Sequence, residues 1–126
     1  MLKLFRSLFL ISFLAATSAL AASNTFDQAT FDTLQKQGKP ILVETYADWC
    51  PTCKRQEPII SELLNTPELQ QVTRLRVDFD QQKDVLKALK VSMQSTLIVF
   101  KGGKEVGRST GDTSKDSIAA LLKKAI

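Results

Sequence analysis

Trp49-Cys50-Pro51-Thr52-Cys53-Lys54 is the stretch that most narrows what this chain can fold into. It holds the only two cysteines, two residues apart, and it sits where one pattern gives way to another. Before it runs Pro40-Ile41-Leu42-Val43-Glu44-Thr45-Tyr46, apolar and β-branched, which reads as a buried strand. After it, Lys54 to Asn65 carries Ile59, Ile60, Leu63 and Leu64 at helical spacing, with Pro58 bending the helix. A strand that hands Cys50 to the first turn of a helix sets its sulfur beside unsatisfied backbone N–H groups and the positive end of the helix dipole. Both stabilise a thiolate, and the thiolate is the nucleophile in disulfide exchange. Pro51 suits the first helical position, where its missing N–H costs the helix nothing. Lys54 and Arg55 add positive potential one turn on, and Asp48 opposes it.

Histidine is absent. That excludes Cys–His and Ser–His dyads and any His-containing metal site. Two thiols cannot fill a four-coordinate zinc or iron–sulfur site within one chain, although two chains facing each other could, so a dimeric metal-binding protein stands as an alternative. Closing so short a loop constrains the unfolded chain little, so the pair suits chemistry better than stapling. No cofactor is expected beyond the two thiols.

Segment 1–21 reads as a secretory signal peptide. Lys3 and Arg6 form its positive end, Leu8 to Ala16 its apolar run, and Ala19-Leu20-Ala21 a small-x-small cleavage site. A retained membrane anchor is the alternative, but the run is short of the ~20 residues a span needs. The segment has no cysteine, so a lipid anchor is not expected. The remainder, 22–126, is enough for one compact domain. Export implies an oxidising compartment, taken here as the periplasm, where two lone cysteines pair readily. Lys3 and Arg6 account for two of the four excess positive charges. The other basic residues are scattered with no aromatic stripe beside them, which argues against nucleic-acid binding.

Taken in order, Ala22 to Thr25 is expected to be a loose start and Phe26-Asp27 a short edge strand. Phe31 and Leu34 then mark a helix capped by Thr30 and stopped at Gly38. Val72 to Phe79 alternates as a second strand, and Gln82 to Lys90 has helical spacing. Leu97 to Phe100, Gly102-Gly103 and Glu105 to Ser109 form a hairpin. The last helix runs Ser114 to Ala125, with Thr113 and Asp116 at capping-box spacing. Early alternation implies parallel strands with crossover helices, and the late hairpin adds an antiparallel edge. The fold class is α/β, a central mixed β-sheet flanked by helices. Phe31, Phe79 and Phe100 are core candidates.

The run Ile41 to Lys54 resembles the strand, tryptophan and active-site turn of thioredoxin-like proteins. Pro58, Val77-Asp78 with Asp80, Thr96 to Gly103 and Gly111 continue the likeness, which covers Phe26 to Ile126. The Tyr-Ala-Asp-Trp-Cys spelling is especially similar to the exported thioredoxin domains of transmembrane disulfide reductases. The resemblance implies a thioredoxin-like fold and a thiol–disulfide oxidoreductase. Two positions depart from the family: Pro51-Thr52 stands for Gly-Pro, and Ser95 stands where the family has a cis-proline. A non-proline cis bond costs about 3 kcal/mol or more, so the Gln94–Ser95 bond is expected to be trans.

Cys50, at the turn, is expected to be the exposed attacking thiol, with a lowered pKa, and Cys53, inside the helix, the buried resolving thiol. Glu44 is a carboxylate in an apolar strand, where an unpaired charge is costly and the pKa should rise. The resemblance makes it the proton relay for Cys53; the alternative is a glutamate that reaches an edge or pairs with Arg74. Trp49, Pro51, Met93, Gln94, Ser95 and Thr96 are the candidate substrate contacts. The expected activity is exchange with protein disulfides, by a monomer, in the reducing direction. A reductase outside the cytoplasm needs electrons, so a membrane thiol carrier is the implied partner. A dithiol oxidase is the alternative within the class.

Overall fold

The computed structural model describes residues 24–126. The expected signal segment lies outside the described residues. The elements are β1 (Asn24–Thr25), α1 (Gln28–Lys36), β2 (Ile41–Tyr46), α2 (Pro51–Leu64), β3 (Thr73–Asp78), α3 (Lys83–Ala88), β4 (Thr96–Lys101), β5 (Lys104–Thr110) and α4 (Lys115–Lys123). The strands form one sheet in the order β1-β3-β2-β4-β5. β3 is parallel to both β1 and β2, while β4 is antiparallel to β2 and to β5. This is the mixed sheet that the pattern of crossovers and one hairpin predicts. No helix among the described residues is long and apolar enough to cross a membrane.

β2 lies in the middle and is buried on both faces, which is why its sequence reads as an apolar run. Successive residues feed opposite cores. Leu42 packs with Ile60, Leu64, Leu97, Ile118 and Leu122, under α2 and α4. Ile41 and Val43 pack with Phe26, Phe31, Leu75, Ile98 and Phe100, under α1 and α3. Glu44 follows Leu42 at the same parity, so its side chain enters the α2 face. Phe79, expected in the core, is only partly buried and sits edge-on beneath Trp49, with ring centroids 6.5 Å apart.

Several boundaries differ from the expected ones for local reasons. The edge strand is Asn24–Thr25, not Phe26-Asp27. Phe26 turns into the core, and Asp27 caps α1 by accepting the Thr30 N–H at 2.8 Å, so Asp27 and not Thr30 is the cap. α4 is capped by Ser114, not by Thr113: the Ser114 hydroxyl accepts from Ser117 N–H, and the Asp112 carboxylate accepts from Ser114 N–H at 2.9 Å. Pro51 occupies the first turn of α2 as expected, and Pro58 sits inside that helix on its exposed side.

Candidate active site

Cys50 is the N-cap of α2, with extended dihedrals, and its Sγ accepts the Cys53 N–H at 3.1 Å. Cys50 and Cys53 are joined in a disulfide, with Cα atoms 5.3 Å apart. The helix therefore aims a first-turn donor at the Cys50 sulfur, as the change from strand to helix predicts. The expected contrast in exposure is corrected. Cys50 is 0% exposed and Cys53 4%, because the bond tucks the Cys50 sulfur under the turn, against Ala47, Tyr46 and Phe79. Trp49, by contrast, is 56% exposed and held in place by its indole N–H, which donates to Asp80 Oδ2 at 2.8 Å.

Glu44 is wholly buried but paired with Arg74, which corrects the expectation of an unpaired carboxylate. Arg74 Nε donates to Glu44 Oε2 at 2.6 Å, and Arg76 Nε lies 3.4 Å from the same oxygen. Register explains this: Glu44 pairs with Arg76 across β2 and β3, and Arg74 is two residues back on the same face. Arg74 also clamps Glu57 of α2, through Nη1 at 3.1 Å and Nη2 at 2.5 Å. Arg76 stacks over the Tyr46 ring, 3.9 Å from its centroid. Two carboxylates and two guanidiniums thus bridge the sheet and the active-site helix. A cavity of about 230 Å³, lined by Cys53, Tyr46, Asp48, Lys54, Glu57 and Arg76, opens beside them. Glu44 Oε1 has no hydrogen-bond partner among the described residues.

Burial raises the Glu57 carboxyl, but the hydrogen bonds and charge of Arg74, with Arg76 and Ser61, outweigh it and hold the group below its ordinary 4.5. Burial lowers Arg74, and the hydrogen bonds and charges of Glu44 and Glu57 outweigh that to raise it. A carboxyl depressed in the native state stabilises the fold above its unfolded value and stops doing so as pH falls through the native value. The wild-type protein should therefore lose urea stability below pH 4.5, and a Glu57→Gln variant should show a shallower acid limb. Parallel pH profiles for the two proteins would refute this.

The candidate contact loop meets the end of β2 at Thr45, near Cys53. Met93 is exposed and Gln94 half-buried, while the side chains of Ser95 and Thr96 point inward. Ser95 N–H donates to Thr45 O at 2.8 Å, and Cys53 Sγ lies 4.0 Å from that same carbonyl. Ser95 adopts φ +59°, in the left-handed region, and no peptide bond among the described residues is cis. The Gln94–Ser95 bond is thus trans, as expected. Thr96 Oγ1 donates to Met93 O at 2.8 Å, closing the loop on itself. Pro51 is exposed beside it at the helix start. No group of three or more Cys, Asp or Glu side chains is placed to hold a metal among the described residues.

The disulfide sits at the N-terminus of α2, just after the central strand β2. The family model described as Thioredoxin matches residues 21–124. This chain belongs to the thioredoxin family. A thioredoxin of Chlamydia trachomatis is 42% identical over 84 residues, which cover 67% of this chain and 80% of that one. Thioredoxin-1 of Saccharomyces cerevisiae is 36% identical over 96 residues, covering 76% and 86%. The crystal structure of Trxlp from Edwardsiella tarda superposes with a TM-score of 0.78 at 42% identity, covering 80% of this chain and 98% of that one. The protein is a thiol–disulfide oxidoreductase with Cys50 and Cys53 as its redox-active pair. Like other thioredoxins, it acts on protein thiols and disulfides.

Sequence reasoning missed Gln56, Glu57 and Arg76. The alternation of Arg74 and Arg76 on the strand beside Glu44 was a usable signal for the ionic cluster, since residues two apart on a strand share a face. Nothing in the sequence marked Gln56, which looks like one more polar residue on a helix.

Proposed function

We propose that this thioredoxin works as an exported reductase of protein disulfides, supplied with electrons by a membrane thiol carrier. The observation that carries the reading is Cys50 at the N-cap of α2, its sulfur 3.1 Å from the Cys53 N–H. Charge developing on that sulfur meets a donor already in place. In the reduced protein, the Cys50 thiolate attacks one sulfur of a client disulfide. The other client sulfur leaves as a thiolate and takes up a proton. Cys53 then gives up its proton and attacks Cys50 Sγ. The second client thiolate leaves, and two electrons have passed from the dithiol to the client. Glu44, through the oxygen both arginines leave free, receives the Cys53 proton by way of water in the adjacent cavity. Trp49, Pro51, Met93 and Gln94 form the surface that the client strand meets, with Ser95 and Thr96 shaping it from beneath. The protein acts as a monomer, in the periplasm, after loss of segment 1–21.

A Cys53→Ser variant tests the order of events. It should accumulate a mixed disulfide through Cys50, released by dithiothreitol, and the trapped protein names the client. If instead Cys50→Ser accumulates the adduct and Cys53→Ser does not, the roles are reversed. The reduction potential tests direction: a value of about −270 mV fits a reductase and one of about −120 mV an oxidase.

A further inference from the structure

We infer that Gln56 is a positioning residue for client binding: it holds Ser95 and Asp112 by their carbonyls and so sets the edge that Met93 and Gln94 offer beside the disulfide. The inference rests on the proposed docking of clients at that loop.

Gln56 is wholly buried on α2, three residues past Cys53 and so on a neighbouring face of the helix. Its Nε2 donates to Ser95 O at 3.2 Å and to Asp112 O at 2.8 Å. Gly111 N–H donates to the same Ser95 oxygen at 3.0 Å. The active-site helix, the start of β4 and the turn after β5 therefore meet at one amide. Two carbonyls face it, and a side-chain amide has two N–H donors to answer them. Its own Oε1 has no partner among the described residues. A buried polar atom left unpaired is unfavourable, and leucine or methionine would fill the same space without it. Packing alone does not account for an amide here, whereas the two carbonyls do.

What the amide holds is a backbone that needs holding. Ser95 sits at φ +59°, a conformation that a residue with a Cβ keeps only when its surroundings impose it. Thr45 and Gly111 grip Ser95 through backbone groups, and Gln56 grips it through a side chain. Gln56 is hydrogen-bonded to neither sulfur, so its loss acts on the loop. A client strand would then have to order the loop on arrival, which weakens binding and leaves the exchange chemistry alone.

The test is a Gln56→Leu variant, assayed for dithiothreitol-driven reduction of insulin and for exchange with a small aromatic disulfide. The KM for insulin should rise about fivefold with kcat within about twofold, and the ratio of insulin rate to small-disulfide rate should fall to match. Amide exchange at Ser95 and Gly111, read by NMR on the oxidised protein, should quicken about tenfold. Gln56→Met, flexible and of similar volume, is measured in the same way, so that a poorly folded leucine variant does not decide the matter. An unchanged KM, or a kcat and small-disulfide rate that fall together with thermal stability, would reduce Gln56 to a packing role. Unchanged exchange at both amides would overturn the inference on structural grounds. If the wild-type protein exchanges with the small disulfide but never reduces insulin, the docking proposal itself fails and takes this one with it.

Discussion

Replacing Arg74 by leucine should destabilise the oxidised protein by about 3 kcal/mol, the low end of the cost of breaking a buried ion pair. The Arg74 side chain is 4% exposed and that of Glu44 is 0%. Without Arg74, the Glu44 carboxylate keeps only Arg76, at 3.4 Å, and Glu57 loses its two bonds to that guanidinium. Leaving one charge behind in a dry interior is worse than having neither. The double variant Glu44→Leu with Arg74→Leu should therefore recover most of the loss. It should also resolve its mixed disulfide slowly, because the group proposed to take the Cys53 proton is gone. Urea midpoints in the oxidised state measure the first effect, and the decay of a preformed Cys50 adduct measures the second. A single variant within about 1 kcal/mol of wild type would show that the pair sits in water-like surroundings after all.

Ser95→Pro should cost about 2–4 kcal/mol, even though proline is what the family usually carries there. Proline fixes φ near −65°, and Ser95 holds +59°. Proline also lacks the N–H that Ser95 gives to Thr45 O at 2.8 Å, so a buried carbonyl beside Cys53 loses its donor. Ser95→Gly isolates the two contributions. It keeps the N–H and relieves the left-handed strain, while losing the hydroxyl bond to Gln94 O and adding freedom to the unfolded chain. These changes oppose one another, and the glycine variant should lie within about 1 kcal/mol of wild type. Thermal unfolding of the two variants side by side decides it. A proline variant as stable as the glycine one would mean that the loop has a second arrangement of equal energy.

The two replacements bear on function in different ways. The arginine change strikes the polar cluster of Glu44, Glu57 and Arg76, where the proton transfer from Cys53 is proposed. The proline change strikes the loop near Cys53, where client docking is proposed. The Thr45 carbonyl is near both the disulfide and the loop: it accepts the Ser95 N–H at 2.8 Å and lies 4.0 Å from Cys53 Sγ. One strand end thus couples the thiol to the loop.

Much of this was legible in the chain itself. An apolar run entering a two-cysteine turn and a helix that opens on proline already specify where the sulfurs lie, since each is a local matter of strand period, helix start and dipole. Alternation and turn residues likewise point to the mixed sheet and the closing hairpin. The pairing of Glu44 with two arginines depended on the register of β2 against β3, and register is set by the packing of whole strands. Cys50 proved buried because the bond it makes, and not its place at a turn, determines where its sulfur faces. Gln56 acquires its meaning only when Ser95 and Asp112, distant in sequence, come within reach of one amide. Short-range spacing wrote the chemistry into the sequence; the surroundings that tune that chemistry are long-range contacts, and only the folded sheet brings them together.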